Sequence, residues 1–166
     1  MSAIALKIQQ EMPEAIVSHQ EHFGELTFLA HREKIVHFLR FLHDAPGLSF
    51  DHITDITAVD FPNEEPRFEV VYQLYSISNN HRIRVKARVP EDDCVIDSAT
   101  SIWQGANFLE REIYDMMGIV FNHHPDLRRI LMTEDFDEGY PLRKDFPVEG
   151  RGWRDTFPFL DEYDKG

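Results

Sequence analysis

The chain predicts an α+β fold: a mostly antiparallel sheet packed with two main helices, followed by an extended C-terminal arm. Three observations carry this. Residues 50–60, 67–77 and 81–89 have the β-branched or alternating character of strands. Two windows, about 32–43 and about 98–117, instead repeat apolar residues at three- and four-residue spacing. Beyond about Asn122 neither period survives, and a long aperiodic segment is usually functional or a docking element. The expected organisation is a domain of residues 1–121 and an arm of residues 122–166.

Taken in order, residues 1–12 form a short amphipathic helix candidate, with Ile4, Leu6 and Ile8 as its signal. Residues 25–30, ELTFLA, read as a short strand. Ile35, Phe38, Leu39 and Leu42 then share one helical face, and Ala45-Pro46-Gly47 ends it. In 67–77, Phe68, Val70, Tyr72 and Leu74 line one face while Val71, Tyr75 and Ile77 line the other, so this strand is expected inside the sheet, covered on both sides. Ser78-Asn79-Asn80 supplies a turn. In 81–89, Ile83, Val85, Ala87 and Val89 alternate with Arg82, Arg84, Lys86 and Arg88, giving one core face and one wet or docked face. The long helix expected from about Ser98 to Met117 carries Ile102, Ala106, Leu109, Ile113 and Met116 as its stripe, with Gly118 as its stop. The arm holds Phe136, Tyr140, Phe146, Trp153, Phe157, Phe159 and Tyr163, too aromatic for a disordered linker. It reads as a segment that orders on a partner surface.

Composition narrows the function. A net charge of −13 argues against nucleic acid, whose phosphates need a cationic footprint. Cys94 is the only cysteine, which excludes an intrachain disulfide and a thiolate set for an iron–sulfur cluster or structural zinc. The expected compartment is a reducing cytosol. No apolar run approaches the roughly 20 residues that span a bilayer, and the first residues lack a signal-peptide core, so membrane association is expected only through a partner.

The densest chemistry lies in residues 110–147. Glu110, Arg111, Glu112, Asp115, Asp126, Arg128, Arg129, Arg143, Lys144 and Asp145 stand close in sequence among Tyr114, Phe121, Leu127 and Phe136. Glu112 and Asp115 are three apart and would share a helix face, as acid/base carboxylates do; with His123 and His124 they could make a divalent metal site. Adjacent histidines need a sharp bend to hold one ion, and no HxxxH spacing accompanies them. The plainer alternative is surface charge with an Arg111–Asp115 pair. The two basic pairs, Arg128-Arg129 and Arg143-Lys144, lack the Gly-rich loop of a nucleotide site and fit interface anchors better. The basic stripe Arg82–Arg88 reads either as a solvated face with acidic cross-strand neighbours or as a surface for an acidic partner. Acidic neighbours Glu91, Asp92 and Asp93 make Cys94 inert rather than reactive.

The run E-R-E-x-x-D with a Gly three beyond the Asp, then H-P-D-L-R-R-I-L-M, then G-Y-P-L-R-K-D-F-P, resembles the C-subunit (30 kDa) family of type I NADH:quinone oxidoreductase, respiratory complex I. Glu110, Arg111, Glu112, Asp115, Gly118, His124, Pro125, Asp126, Leu127, Arg128 and Arg129 carry the first blocks. Gly139, Pro141, Leu142, Arg143, Lys144, Asp145 and Pro147 carry the last. Trp103, Ala106, Asn107 and the strand residues 67–72 and 83–85 also fit. The resemblance spans about 33–147; family members usually have Trp where Phe108 stands. It implies a cofactor-free peripheral-arm subunit at the cytoplasmic face of the bacterial inner membrane. The D subunit of that complex is the implied main partner, with its iron–sulfur B and I subunits nearby. FMN and iron–sulfur clusters are then held by partners, and the holoenzyme passes electrons from NADH to quinone while pumping protons. The residues implied at the interface are Glu110, Arg111, Glu112, Asp115, His124, Asp126, Arg128, Arg129, Arg143, Lys144 and Asp145, with no catalytic or metal-binding residue. The same kind of subunit in a photosynthetic, F420H2-linked or hydrogenase complex is the alternative. A free-standing metal-dependent hydrolase using Glu112, Asp115 and His124 is the more distant one.

Overall fold

The computed structural model describes residues 3–148. Its elements are α1 (Ala3–Glu11), β1 (Ile16–His22), β2 (Glu25–Ala30), α2 (Ile35–Asp44), β3 (His52–Asp60), β4 (Phe68–Ser76), β5 (His81–Val89), β6 (Val95–Asp97), α3 (Ala106–Met117) and β7 (Val120–Asn122). The expected aromatics Trp153, Phe157, Phe159 and Tyr163 lie outside the described residues.

Alternation along β5 organises the sheet. In the order β1-β2-β5-β4-β3, all neighbours are antiparallel except β2 and β5, which run parallel. The register aligns the core-facing side chains in rungs. Leu26, Ile83, Leu74 and Ile53 form one, Phe28, Val85, Tyr72 and Ile56 the next, and Ala30, Ala87, Val70 and Ala58 a third. Small residues in the third rung leave room above it. Ile8 of α1, then Ile35, Phe38, Leu39 and Leu42 of α2, and Ala106, Ile113 and Met116 of α3 join these rungs in one cluster. Each large apolar side chain removed from water there contributes about 1.5–3 kcal/mol, so the helix-covered face dominates the fold's stability.

The opposite sheet face has no such cover among the described residues, so β4 lies inside the sheet as expected but is helix-covered on one side only. The rungs of this face are largely polar: Thr27, Arg84, Gln73 and Asp55 in one, Leu29, Lys86, Val71 and Thr57 in the next. The basic stripe meets acids here. Arg84 pairs with Glu25, Lys86 with Glu69, and Arg88 with Glu64 and Glu69. Cross-strand neutralisation accounts for these three cations within the chain.

Four elements differ from the sequence expectation, two of them the short strands β6 and β7, which pair in parallel as a separate sheet. β1 is an additional strand: IVSHQEH has no clean alternation, and it forms a sheet edge with no fully buried residue. The long helix begins at Ala106 rather than near Ser98. The Ser98 hydroxyl accepts from the Thr100 N–H and caps a separate 3₁₀ turn, Ala99–Ser101. A carboxylate further along the chain holds that turn, so it cannot merge with the helix.

Candidate functional site

The charged motif turns out to be a seam. Helix α3 packs Ala106, Ile113 and Met117 against the core, as its period dictates. Glu110 falls on that same stripe and is buried with it, while Arg111 and Asp115 on the other side are buried because the arm lies across them. Each of these three side chains fastens a different stretch.

Glu110 is fully buried. One carboxylate oxygen accepts from the Ser98 hydroxyl at 2.6 Å and the other from the Ala99 N–H at 2.7 Å. This is the group that holds the 3₁₀ turn. His124 stands beside it, with Nε2 4.0 Å from the carboxylate. The His124 ring is itself fixed: Nε2 donates to the Asn107 carbonyl at 3.1 Å, and Nδ1 accepts from the Asp126 N–H at 3.0 Å. Burial pushes the Glu110 carboxyl up from its ordinary 4.5 to about 7, against the two hydrogen bonds that favour its charged form.

Arg111 does not pair with Asp115 as expected. Its Nε donates to the Arg128 carbonyl and an Nη to the Arg129 carbonyl, both at 3.1 Å. Asp115 instead accepts three consecutive backbone N–H groups on one oxygen: Ile130 at 3.0 Å, Leu131 at 2.8 Å and Met132 at 2.8 Å. Burial pushes the Asp115 carboxyl up, but these donors, with Arg129 nearby, outweigh it and hold the carboxyl below its usual range. So the arm runs along α3 in the helix's own direction, 128–129 beside Arg111 and 130–132 beside Asp115. Glu112 and Asp115 do not act as a pair: Glu112 is exposed and Asp115 is buried.

At the helix end, Gly118 has φ +74°, the left-handed stop expected of it. Tyr140 packs on it so closely that a Cβ at this position would lie 2.4 Å from the ring. The Leu142 N–H and Arg143 Nε then donate to the carbonyls of Met116 and Met117, groups a helix terminus leaves unpaired. The Arg143 guanidinium sits between the rings of Phe68 and Tyr140, at 4.8 and 4.5 Å.

The arm finally reaches the end of the sheet, through a buried pair that lies outside the charge-dense segment. Asp60 closes β3 in core register, opposite Phe68, and is buried. Arg67 grips it with two parallel hydrogen bonds of 2.8 Å and also reaches Glu91 and Asp145. The Lys144 N–H donates to Asp60 at 2.7 Å. Arg67 holds the Asp60 carboxyl below its usual range, with burial opposing and the Lys144 N–H assisting. A buried acid at a strand end was the available signal: it demands a cation, and Arg67 is the next one in the chain.

Thus the expected interface positions divide. Glu110, Arg111, Asp115 and His124 face inward, while Glu112, Asp126, Arg128, Lys144 and Asp145 are exposed. Arg129 and Arg143 lie between, half-buried. Arg128 joins Asp126 in a surface pair at 3.0 Å. His123 and His124 diverge, one side chain 85% exposed and the other fully covered. Among the described residues no group of three His, Cys, Asp or Glu side chains is arranged to hold a metal ion.

Residues 28–152 match the family described as respiratory-chain NADH dehydrogenase, 30 Kd subunit. The C subunit of NADH-quinone oxidoreductase from Geobacter sulfurreducens is 51% identical over 146 residues, 87% of this chain and 88% of that protein. Its counterpart in Roseiflexus castenholzii is 46% identical over 87% of this chain and 83% of that protein. Among solved structures, a trypsin-resistant fragment of Nqo5 superposes with a TM-score of 0.62 at 30% identity, covering 75% of this chain and 98% of that one. A chain of the archaeal membrane-bound sulfane sulfur reductase superposes with a TM-score of 0.73 at 26% identity, covering 98% and 90%. Sequence blocks, fold and relatives agree: the chain belongs to the 30 kDa subunit family of respiratory-chain NADH dehydrogenase, as the C subunit of an NADH-quinone oxidoreductase.

Proposed function

We propose that this chain is a cofactor-free brace in the peripheral arm of a proton-translocating NADH:quinone oxidoreductase, holding the quinone-reducing module by docking mainly on the D subunit. The iron–sulfur B and I subunits lie nearby, and FMN and the clusters reside in partner subunits. The complex, not this chain, reaches the membrane, and the brace sits on its cytoplasmic face.

One observation carries the reading. The motif's buried charges are occupied inside the chain, yet the seam they close presents large apolar side chains outward. Phe108 is 62% exposed beside Arg111, Leu131 is 59% exposed over Asp115, and Leu142 is 56% exposed at the helix end. Apolar groups displayed by a rigid seam, with Glu112, Asp126 and Arg128 around them, suit a protein interface rather than a reaction centre. The identity of about 50% to NADH-linked relatives, against 26% to the sulfane sulfur reductase chain, favours the NADH-linked complex over a related one.

The test replaces Phe108 and Leu131 together by Asp in cells that assemble the complex. The altered chain is expected to fold but to lose co-purification with the D subunit, and membrane NADH:quinone reductase activity is expected to fall with it. Stoichiometric recovery with the D subunit would overturn the docking role. Recovery with an electron-input module other than an NADH-oxidising flavoprotein would assign the chain to a related complex.

A further inference from the structure

Glu110 is a fully buried carboxyl with no Lys or Arg side chain against it among the described residues. Its hydrogen-bond donors, the Ser98 hydroxyl and the Ala99 N–H, are neutral. From β4 it faces the buried Tyr72 hydroxyl, which has no hydrogen-bond partner among the described residues and whose ionisation is opposed by burial and then by Glu110 and Asp97. Asp97 of β6, which acts on that same Tyr72 hydroxyl, is an acid with His123 as its neighbour at 4.0 Å. On its own helix Arg111 is turned away, toward the carbonyls of residues 128 and 129. The group beside Glu110 able to become a cation is His124, at 4.0 Å from the carboxylate.

Both ring nitrogens of His124 are already engaged with backbone groups, the Asn107 carbonyl and the Asp126 N–H. Its Nδ1 accepts the Asp126 N–H, and an acceptor nitrogen that takes a proton turns donor against donor. Imidazolium formation would break this bond and lift the His-Pro-Asp turn that roots the arm. A charged Glu110 therefore has two ways out, and both open the seam: water enters, or His124 leaves its turn. A carboxyl that keeps its proton avoids both.

We propose that Glu110 and His124 form a proton-dependent fastener between α3 and the root of the arm at residues 123–126, tight while the carboxyl holds its proton and loosened as that proton passes to solvent. The rise of the Glu110 carboxyl to about 7 through burial puts this loosening in the neutral range. The closed seam binds the proton more tightly than the open one, where water restores the ordinary 4.5. Closure is therefore strongest below the ordinary value, weakens about tenfold per pH unit as pH rises toward 7, and levels off above it. This does not rest on the docking reading, since it concerns the chain alone.

Amide exchange of the full-length chain, corrected for the intrinsic pH dependence, tests it at Asp126 and Ala99. Their protection is expected to fall about tenfold per unit between pH 5 and 7 and then flatten. Glu110→Gln should abolish that slope and leave the protection of residues 130–132 unchanged. Ser98→Ala removes a donor that favours the charged carboxylate, so it should move the plateau to higher pH; this variant serves if Glu110→Gln folds poorly. Equal slopes in wild type and Glu110→Gln, or an unmoved plateau in Ser98→Ala, would each overturn the proposal.

Discussion

The arm is tied down at two places that work by different physics. Along α3, a carboxylate and a guanidinium hold backbone groups: Asp115 takes three N–H groups, and Arg111 takes two carbonyls. At the sheet end, charges hold charges: Arg67 binds Asp60, Glu91 and Asp145, with Arg143 also on Glu91. Backbone partners are present whatever side chains the arm carries, so the first tie fixes the path of the chain and tolerates substitution along it. Ion pairs depend on both residues, so the second fixes identity. The contrast explains why Ile130 and Leu131 can be chosen for what they show to the outside, while Met132 turns to the core.

The sharpest test of this contrast is Arg67→Ala. It leaves Asp60, a carboxylate with no exposed side-chain area, without its cation. Breaking one side of such a pair costs about 3–5 kcal/mol. Urea unfolding should read that loss, and Asp60→Asn combined with it should recover part. A loss below about 1 kcal/mol would mean that water reaches Asp60 freely.

Next in size is the pH profile, where the buried carboxyls act with opposite signs. Asp60 and Asp115 sit below their ordinary 3.8, so their contribution is present above that value and lost as pH falls through the lowered one. Glu110 is raised to about 7, so its contribution is full below 4.5 and is lost as pH rises to 7, a change on the order of 3 kcal/mol. Stability should peak near pH 4–5 and fall on both sides, and Glu110→Gln should remove the neutral-side fall alone. A profile flat from about pH 5 to 8 would contradict the burial of Glu110.

Much of this fold was readable beforehand, for a physical reason. Strands whose two faces differ, such as His81–Val89, and helices with one apolar stripe, such as Ile35–Asp44, carry their burial in their period. What the period cannot show is a second burial event. Arg111 and Asp115 read as surface charges because α3 taken alone would expose them, and the aperiodic arm covers them; Glu110 instead stands in the apolar stripe itself, between Ala106 and Ile113. The motif blocks located the right residues, but which backbone each would hold depends on distances of 11 to 18 residues along the chain that no local pattern encodes. β1 is hidden for a different reason: an edge strand with little buried surface imposes no alternation.

A middle-sized effect is expected where the ties meet. Gly118→Ala adds a Cβ into the Tyr140 ring and strains a φ of +74°. The backbone strain alone costs about 1–3 kcal/mol, and displacing Tyr140 also removes one of the two rings that hold Arg143. Thermal unfolding should show the loss, and proteolysis should quicken selectively after residue 132. Uniform proteolysis would mean that the arm and domain unfold together.

The smallest effect belongs to the uncovered sheet face, and it calibrates the rest. Arg84 pairs with Glu25 at 3.1 Å, but its partner's side chain is 66% exposed. Glu25 stays in water and Arg84 is one-third exposed, so Coulomb attraction is weak and ordering two long side chains offsets much of it. Arg84→Gln should therefore change stability by less than about 1 kcal/mol, and about 0.5 M salt should erase even that. Asp60 and Arg67 carry the same charges, but they are buried and joined by two hydrogen bonds rather than one. If Arg84→Gln proved as damaging as Arg67→Ala, burial would not be what separates the two pairs, and the outer face would have to be covered by protein rather than water.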